Sequence, residues 1–299
     1  MRVSLVVLAC AVVLTGGLVV AKMLLGTRPA PLDTERQERW LVRHSPARLQ
    51  PMLRHVDRHV AGGIMVAASF ATLLLGALIV GWVVDSIDGH QGFARWDKSA
   101  AQWGADHATP ASTRVLELVT QLGSSGVLVI GMAVLGLALV RWKGWGPLGY
   151  FAVVGLGASG LNNLLKALVH RARPDIDRLV GASGSSFPSG HSAAAAACWA
   201  AIALVVCSRR NRRWRAVAAS LAVLIAFGVA TSRVLLGVHW LTDVIAGVIV
   251  GWTWFLLSTI AFGGRLLKFG EPAERIARGS EQPAVSDVAA AQQPTSSTP

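Results

Sequence analysis

Residues Gly184–Val206 read GSSFPSGHSAAAAACWAAIALVV, a Pro-Ser-Gly turn that delivers one histidine, His191, to the lip of an uncharged apolar run. An imidazole at that edge is costly to desolvate, so its placement predicts work for it. The run also decides the fold class. As a purely apolar stretch it is short, and with its polar flanks it reaches the about 20 residues that cross a bilayer. Ala216–Ala230 behaves the same way, while Val3–Leu25, Val60–Val84, Val115–Val140, Leu148–Val169 and Leu241–Phe262 are long enough alone. The 299 residues are 53% hydrophobic and only 15% charged, where soluble domains carry about 25% charged residues. The chain is therefore expected to be an all-α, multi-pass transmembrane bundle.

Net charge is +12, and its distribution matters more than its size. The basic residues sit in short loops between apolar runs, which assigns them to membrane topology and argues against a nucleic-acid partner. SRRNRRWR (208–215), RWKGW (141–145) and the seven arginines of residues 26–59 are predicted to face the cytoplasm. The loop 85–111 holds four aspartates against Arg95 and Lys98, and reads as external. Alternation of the runs then places 171–190 and 232–239 on that same external face, although they carry Arg171, Arg173, Arg178 and Arg233. Cations kept where topology disfavours them point to a binding purpose.

Four regions follow. Residues 1–25 are read as a retained N-terminal span, with a cleaved signal peptide as the alternative that would leave the arginines of 26–59 outside, residues 26–59 as a basic interfacial or cytoplasmic segment, residues 60–264 as the membrane core, and residues 265–299 as a polar, disordered cytoplasmic tail. Cys10, Cys198 and Cys207 have neither a pairing framework nor metal-ligand spacing, and read as small apolar residues. Gly155, Gly157 and Gly160 resemble a helix-packing seam. His44, His55, His59, His90 and His107 read as solvated.

Three polar clusters remain. KALVHRARP (166–174) puts Lys166, His170 and Arg173 near one face of a helix that Pro174 is expected to end. PSGH (188–191) opens the next run, with Ser189 or Gly190 at the N-cap, where free amides and the helix dipole favour an anion. SRVLLGVHWLTD (232–243) places His239 and Asp243 four residues apart, neighbours on a helix, with Arg233 upstream. A carboxylate beside an imidazole fixes its tautomer and raises its basicity, as a nucleophilic or general-base histidine requires. Lys166, Arg173 and Arg233 supply the charge that phosphoryl transfer needs around its equatorial oxygens. No cluster of carboxylates is present to hold Mg²⁺. His191 is placed to protonate a leaving group.

These three segments resemble, in order, the signature K-x6-RP, PSGH and SR-x5-H-x3-D of the type 2 phosphatidic acid phosphatase superfamily, with every signature position filled. LVTQLGSSG (118–126) is similar to the opening of that family's second span. The resemblance covers residues 60–264 and implies a six-helix core, to which the N-terminal run adds one extra span outside the family pattern. It further implies a phosphohistidine on His239 supported by Asp243, and His191 as general acid. Phosphate would be bound by Lys166, Arg173, Ser189, Gly190, His191 and Arg233, with no metal or other cofactor.

The expected activity is hydrolysis of a lipid phosphomonoester or diphosphate: phosphatidic acid, phosphatidylglycerol phosphate or a polyprenyl diphosphate such as undecaprenyl diphosphate. An amphiphile would reach a site at headgroup depth laterally. A lipid phosphotransferase using the same phosphohistidine is the alternative enzyme, and an anion-binding transporter the non-catalytic one. The transporter leaves the His239–Asp243 pair unexplained, and no inverted repeat is evident. Arginine far in excess of lysine, with much alanine, points to a bacterial plasma membrane.

Overall fold

The structure is a computed structural model, and it describes residues 58–88, 92–176 and 179–266. The first apolar run, the basic segment before Arg58, Cys10, His44, His55, His90 and residues 267–299 of the tail lie outside the described residues. So does the side chain of His59.

Every regular element among the described residues is helical. In chain order they are α1 (Arg58–Asp88), a 3₁₀ turn (Gly92–Trp96), α2 (Asp97–Asp106), α3 (Pro110–Gln121), α4 (Ser125–Lys143), α5 (Gly146–Val169), α6 (Gly190–Cys207), α7 (Arg212–Leu235) and α8 (Leu241–Leu266). Six of them, α1 and α4 to α8, are long and apolar enough to cross a bilayer, and only 17% to 44% of each spanning window is buried. The remaining apolar surface faces outward, as Ile130, Leu156 and Leu224 do. A surface this apolar requires lipid around it.

The expected run Val115–Val140 is two helices. Thr109 caps α3 through a reciprocal box with Ser112, and Pro110 opens it. The helix stops after Gln121, and Ser124 caps α4 by accepting from Val127 N. The break is held from outside: Trp199 Nε1 of α6 donates to Leu122 O at 2.9 Å, satisfying a carbonyl orphaned at the helix end. Gly123 fits there because a Cβ would lie 2.8 Å from His191 O. The α3 end is thereby pressed against the start of α6.

Helix α6 is the axle, packed against α8, α7, α5 and α4. Ala193, Ala195, Ala196, Ala197 and Ala201 are all but fully buried, and small residues let neighbouring backbones approach closely. Gly247 of α8 completes that contact, since a Cβ on it would stand 2.6 Å from Ser189 O. Gly247→Ala is expected to lower the unfolding temperature in detergent. Overpacking costs about 1–3 kcal/mol, against the about 1 kcal/mol that alanine gains as a helix former.

Of the predicted glycine seam, Gly157 packs against the Trp254 ring, while Gly155 and Gly160 face open space. Cys198 is buried and Cys207 half-buried, both free thiols. His107 is exposed and stacks on Trp103, with ring centroids 4.5 Å apart.

Candidate active site

The site assembles at one end of the bundle, where α5 ends, α6 begins, α7 ends and α8 begins. Helix α5 stops earlier than expected. His170 takes a left-handed conformation, φ 48°, and its amide closes onto Lys166 O. The chain reverses four residues before Pro174, so His170 and Arg173 are not on the helix with Lys166, and His170 is exposed. The reversal still brings the two cations together: Lys166 Nζ and Arg173 Nη2 donate to the same carbonyl, Ser185 O, at 3.2 and 3.4 Å.

Ser189 occupies the N-cap of α6, as expected, but its side chain makes no capping bond. Its hydroxyl accepts from Ser192 Oγ at 2.9 Å instead. Its amide donates to Asp243 O at 3.0 Å, which fixes the PSGH turn to the first turn of α8. Gly190 lies against the Asn162 amide, a side chain whose Oδ1 is buried without a hydrogen-bond partner among the described residues.

Arg233, near the end of α7, is 7% exposed. Its Nη1 donates to Thr120 Oγ1 at 3.3 Å, and its Nε has no acceptor among the described residues. A buried guanidinium held this loosely suits an anion.

His239 is not on a helix. The chain turns at Leu236–Gly237, with Gly237 at φ 72°, and α8 begins only at Leu241. The His239–Asp243 pairing therefore comes from a capped turn rather than helical spacing. Asp243 Oδ2 accepts from Trp240 N at 3.0 Å and lies 3.6 Å from His239 Nδ1. That separation is too long for a hydrogen bond.

The tautomer follows from Arg173, whose Nη1 stands 3.3 Å from His239 Nε2. A guanidinium only donates, so Nε2 carries the lone pair and Nδ1 the proton, facing Asp243. Burial holds the His239 pKa below the ordinary imidazole value. Asp243 works against that shift, and Arg173 and Arg233 add to it.

Arg173 is also a strap. Its five N–H groups reach Gly184 O (3.1 Å), Val238 O (2.7 Å), His239 Nε2, Ser183 O (2.8 Å) and Ser185 O. His191 lies within Coulombic reach of Arg233, His239, Lys166 and Arg173. All eight residues singled out in the sequence thus meet at one end of the bundle.

A family model described as the PAP2 superfamily matches residues 147–266. Phosphatidylglycerophosphatase B of Bacillus subtilis is 36% identical over 155 residues, which span 50% of this chain and 74% of that protein. The chain belongs to the PAP2 superfamily. Lipid A 1-phosphatase of Rhizobium johnstonii is 32% identical over 186 residues, 53% of this chain and 71% of the relative. The crystal structure of a transmembrane PAP2-type phosphatidylglycerolphosphate phosphatase from Bacillus subtilis superposes with a TM-score of 0.58 at 29% identity, covering 62% of this chain and 93% of that one. The all-α transmembrane architecture and the class of phosphoric ester hydrolase stand with this membership.

Within the PAP2 frame, several residues around the site went unassigned in the sequence. Arg171 Nη1 donates to Asp243 Oδ1, and its Nη2 to Asp97 Oδ2, both at 2.7 Å. Thr242 N and Oγ1 donate to Asp97 at 2.8 and 2.7 Å. Thr120 and Asn162 complete the surround. Arg171 sits visibly in RARP, two residues before Arg173. Asp97 carries no sequence signal of its own, being one of four aspartates in the loop 85–111 that reads as external.

Proposed function

We propose that this protein removes the terminal phosphate of a membrane lipid through a phosphohistidine on His239. The observation that carries the reading is the setting of the His239 ring: Nε2 stands 3.3 Å from the Arg173 guanidinium, which can only donate, and Nδ1 faces a buried carboxylate at 3.6 Å. Nε2 attacks phosphorus in line, and the lipid oxygen leaves. Asp243 stabilises the positive charge that develops on the ring as it is phosphorylated.

His191, opposite, donates a proton to the leaving oxygen and then takes one from the water that hydrolyses the phosphohistidine. Lys166, Arg233, the Ser189 hydroxyl and the Gly190 amide surround the equatorial oxygens. Arg173 joins them by giving up its two long contacts, to His239 Nε2 and Ser185 O. The three cations take the part that a metal plays in other phosphoryl-transfer enzymes.

Residues 60–264 are read as the catalytic unit. The arginine-rich connection 208–215 lies at the opposite ends of α6 and α7 from His191 and Arg233, so the positive-inside rule puts the site on the extracytoplasmic side. A lipid headgroup reaches that depth by lateral diffusion. Phosphatidic acid, phosphatidylglycerol phosphate and polyprenyl diphosphate all offer the terminal phosphate the cations would hold.

The test is phosphate release by the full chain in detergent, on these three lipids in identical micelles with EDTA present. Release from at least one lipid, unchanged by EDTA, is expected. No release above the His239→Ala background on any of them, or activity restored only by added Mg²⁺, overturns the reading. The acid limb of kcat/KM is expected below the ordinary imidazole range, because the nucleophile is the neutral ring and burial lowers its pKa. Activity is then kept into mildly acidic solution and lost as pH falls through that value, read from a pH–rate profile.

A further inference from the structure

Helix α2 packs across the end of α7, with Gly104 so close that a Cβ would stand 2.7 Å from Leu235 Cα. Its first residue is Asp97, 4% exposed. This carboxylate accepts from Thr242 N, Thr242 Oγ1 and Arg171 Nη2. Thr242 Oγ1 in turn accepts from Arg171 Nη1 at 2.7 Å, so Asp97, Thr242 and Arg171 close a ring. The Arg171 guanidinium stacks on the Trp240 ring, 5.4 Å from its centroid. Its remaining strong bond is to Asp243 Oδ1. Arg171 thus bridges two buried carboxylates, one on the outlying helix and one beside the nucleophile.

We propose that the Asp97–Arg171 pair is the positioning unit of the reaction, holding Asp243 in the orientation that presents Oδ2 to His239 Nδ1. The inference rests on the phosphohistidine reading above. The Asp243 side chain is wholly buried. With Oδ1 pinned by Arg171, the carboxylate cannot rotate, and Oδ2 stays between Trp240 N and the imidazole.

Arg171 also sets how hard Asp243 pulls on the ring proton. The charges facing His239 are Asp243 from α8, Arg173 from the segment after α5 and Arg233 from α7. His191 faces it from α6, and Lys166 of α5 faces Asp243. Among these Asp243 is the sole anion, and Arg171 is the cation bonded to it. Removing Arg171 leaves the carboxylate's full charge on the imidazole, which then holds its proton to higher pH.

Three variants of the full chain separate positioning from packing. Arg171→Met is expected to lower kcat by about 10–100-fold, the usual loss when a residue that orients a catalytic group is removed. KM should stay within about threefold, since the phosphate cradle is untouched, and the acid limb of kcat should move to higher pH. Arg171→Lys keeps the charge, so the limb returns toward wild type. Its kcat stays low, because an ammonium lacks the planar fork that spans two carboxylates. Asp97→Asn leaves Arg171 on Asp243 and should lower kcat without raising the limb.

Wild-type kcat in Arg171→Met overturns the proposal, as does an equal loss in all three variants with the limb unmoved. If Arg171→Met does not fold, the Lys and Asn variants still carry the contrast between a limb restored and a limb never raised. Wild-type behaviour of these variants with an inactive His239→Ala would remove the positioning unit alone, whereas full turnover by His239→Ala would remove the reading beneath it.

Discussion

His239→Ala lowers kcat by about 10⁴–10⁶-fold, the scale on which removing the nucleophile or its base disables a catalytic group that works as a unit. Arg173 and Arg233 are donors only, and Asp243 is wholly buried on the far side of the ring. The variant keeps its fold, because the imidazole contributes one long contact to Arg173 while Nδ1 has no hydrogen bond to lose. Phosphate release from lipid micelles measures the loss, and circular dichroism measures the retained helix. Brief incubation of the wild type with labelled lipid, quenched in alkali, should leave label on the protein that acid then releases, as a phosphoramidate requires, and the variant should show none. A rate within tenfold of wild type in His239→Ala would take the nucleophile away from this residue.

His191→Ala is expected to cost about 10²–10⁴-fold on a lipid phosphate, the usual range for a lost general acid. The dependence on leaving group is the sharper readout. An alkoxide departs poorly without a proton, whereas a nitrophenolate needs none. On an aryl phosphate the same substitution should therefore cost tenfold or less in kcat/KM, which ends at phosphohistidine formation and leaves out the later water step that His191 also serves. An equal loss on both substrates would make His191 a phosphate ligand rather than the proton donor. Because His191 opens α6 beside the Gly123 break, a displaced helix start is the structural alternative. Unchanged KM for the aryl phosphate argues against it.

The spans were legible because about twenty mostly uncharged residues in a row have few stable fates. The six described spans follow the apolar runs, with their limits moved wherever a local bond intervenes. The break at Leu122–Ser124 was missed because the carbonyl acceptor it exposes is satisfied by Trp199, 77 residues away. The early end of α5 was missed because Pro174 is a visible helix breaker, while the left-handed turn at His170 carries no such mark.

The three cations, two histidines, one aspartate and the PSGH turn were legible as chemistry lodged where a membrane discourages it. How they are held was not legible. His239 looked like a helical residue and stands in a turn, and Arg173 looked like a phosphate clamp and is also a strap across four backbone carbonyls. Asp97 shows the limit most plainly. Its role depends on a short helix folding back over α7, which no local pattern announces.

The Ser189 amide donates to the carbonyl of Asp243, so on the phosphohistidine reading proposed here the residue that steadies the attacking ring also anchors the turn bearing the proton donor. On that reading a single hinge would keep attack and departure in step, and a displacement of α8 would shift both sides of the phosphorus together. Paired substitutions across this joint should fail to add, their combined loss falling short of the product of the separate ones, because each already disturbs the same alignment.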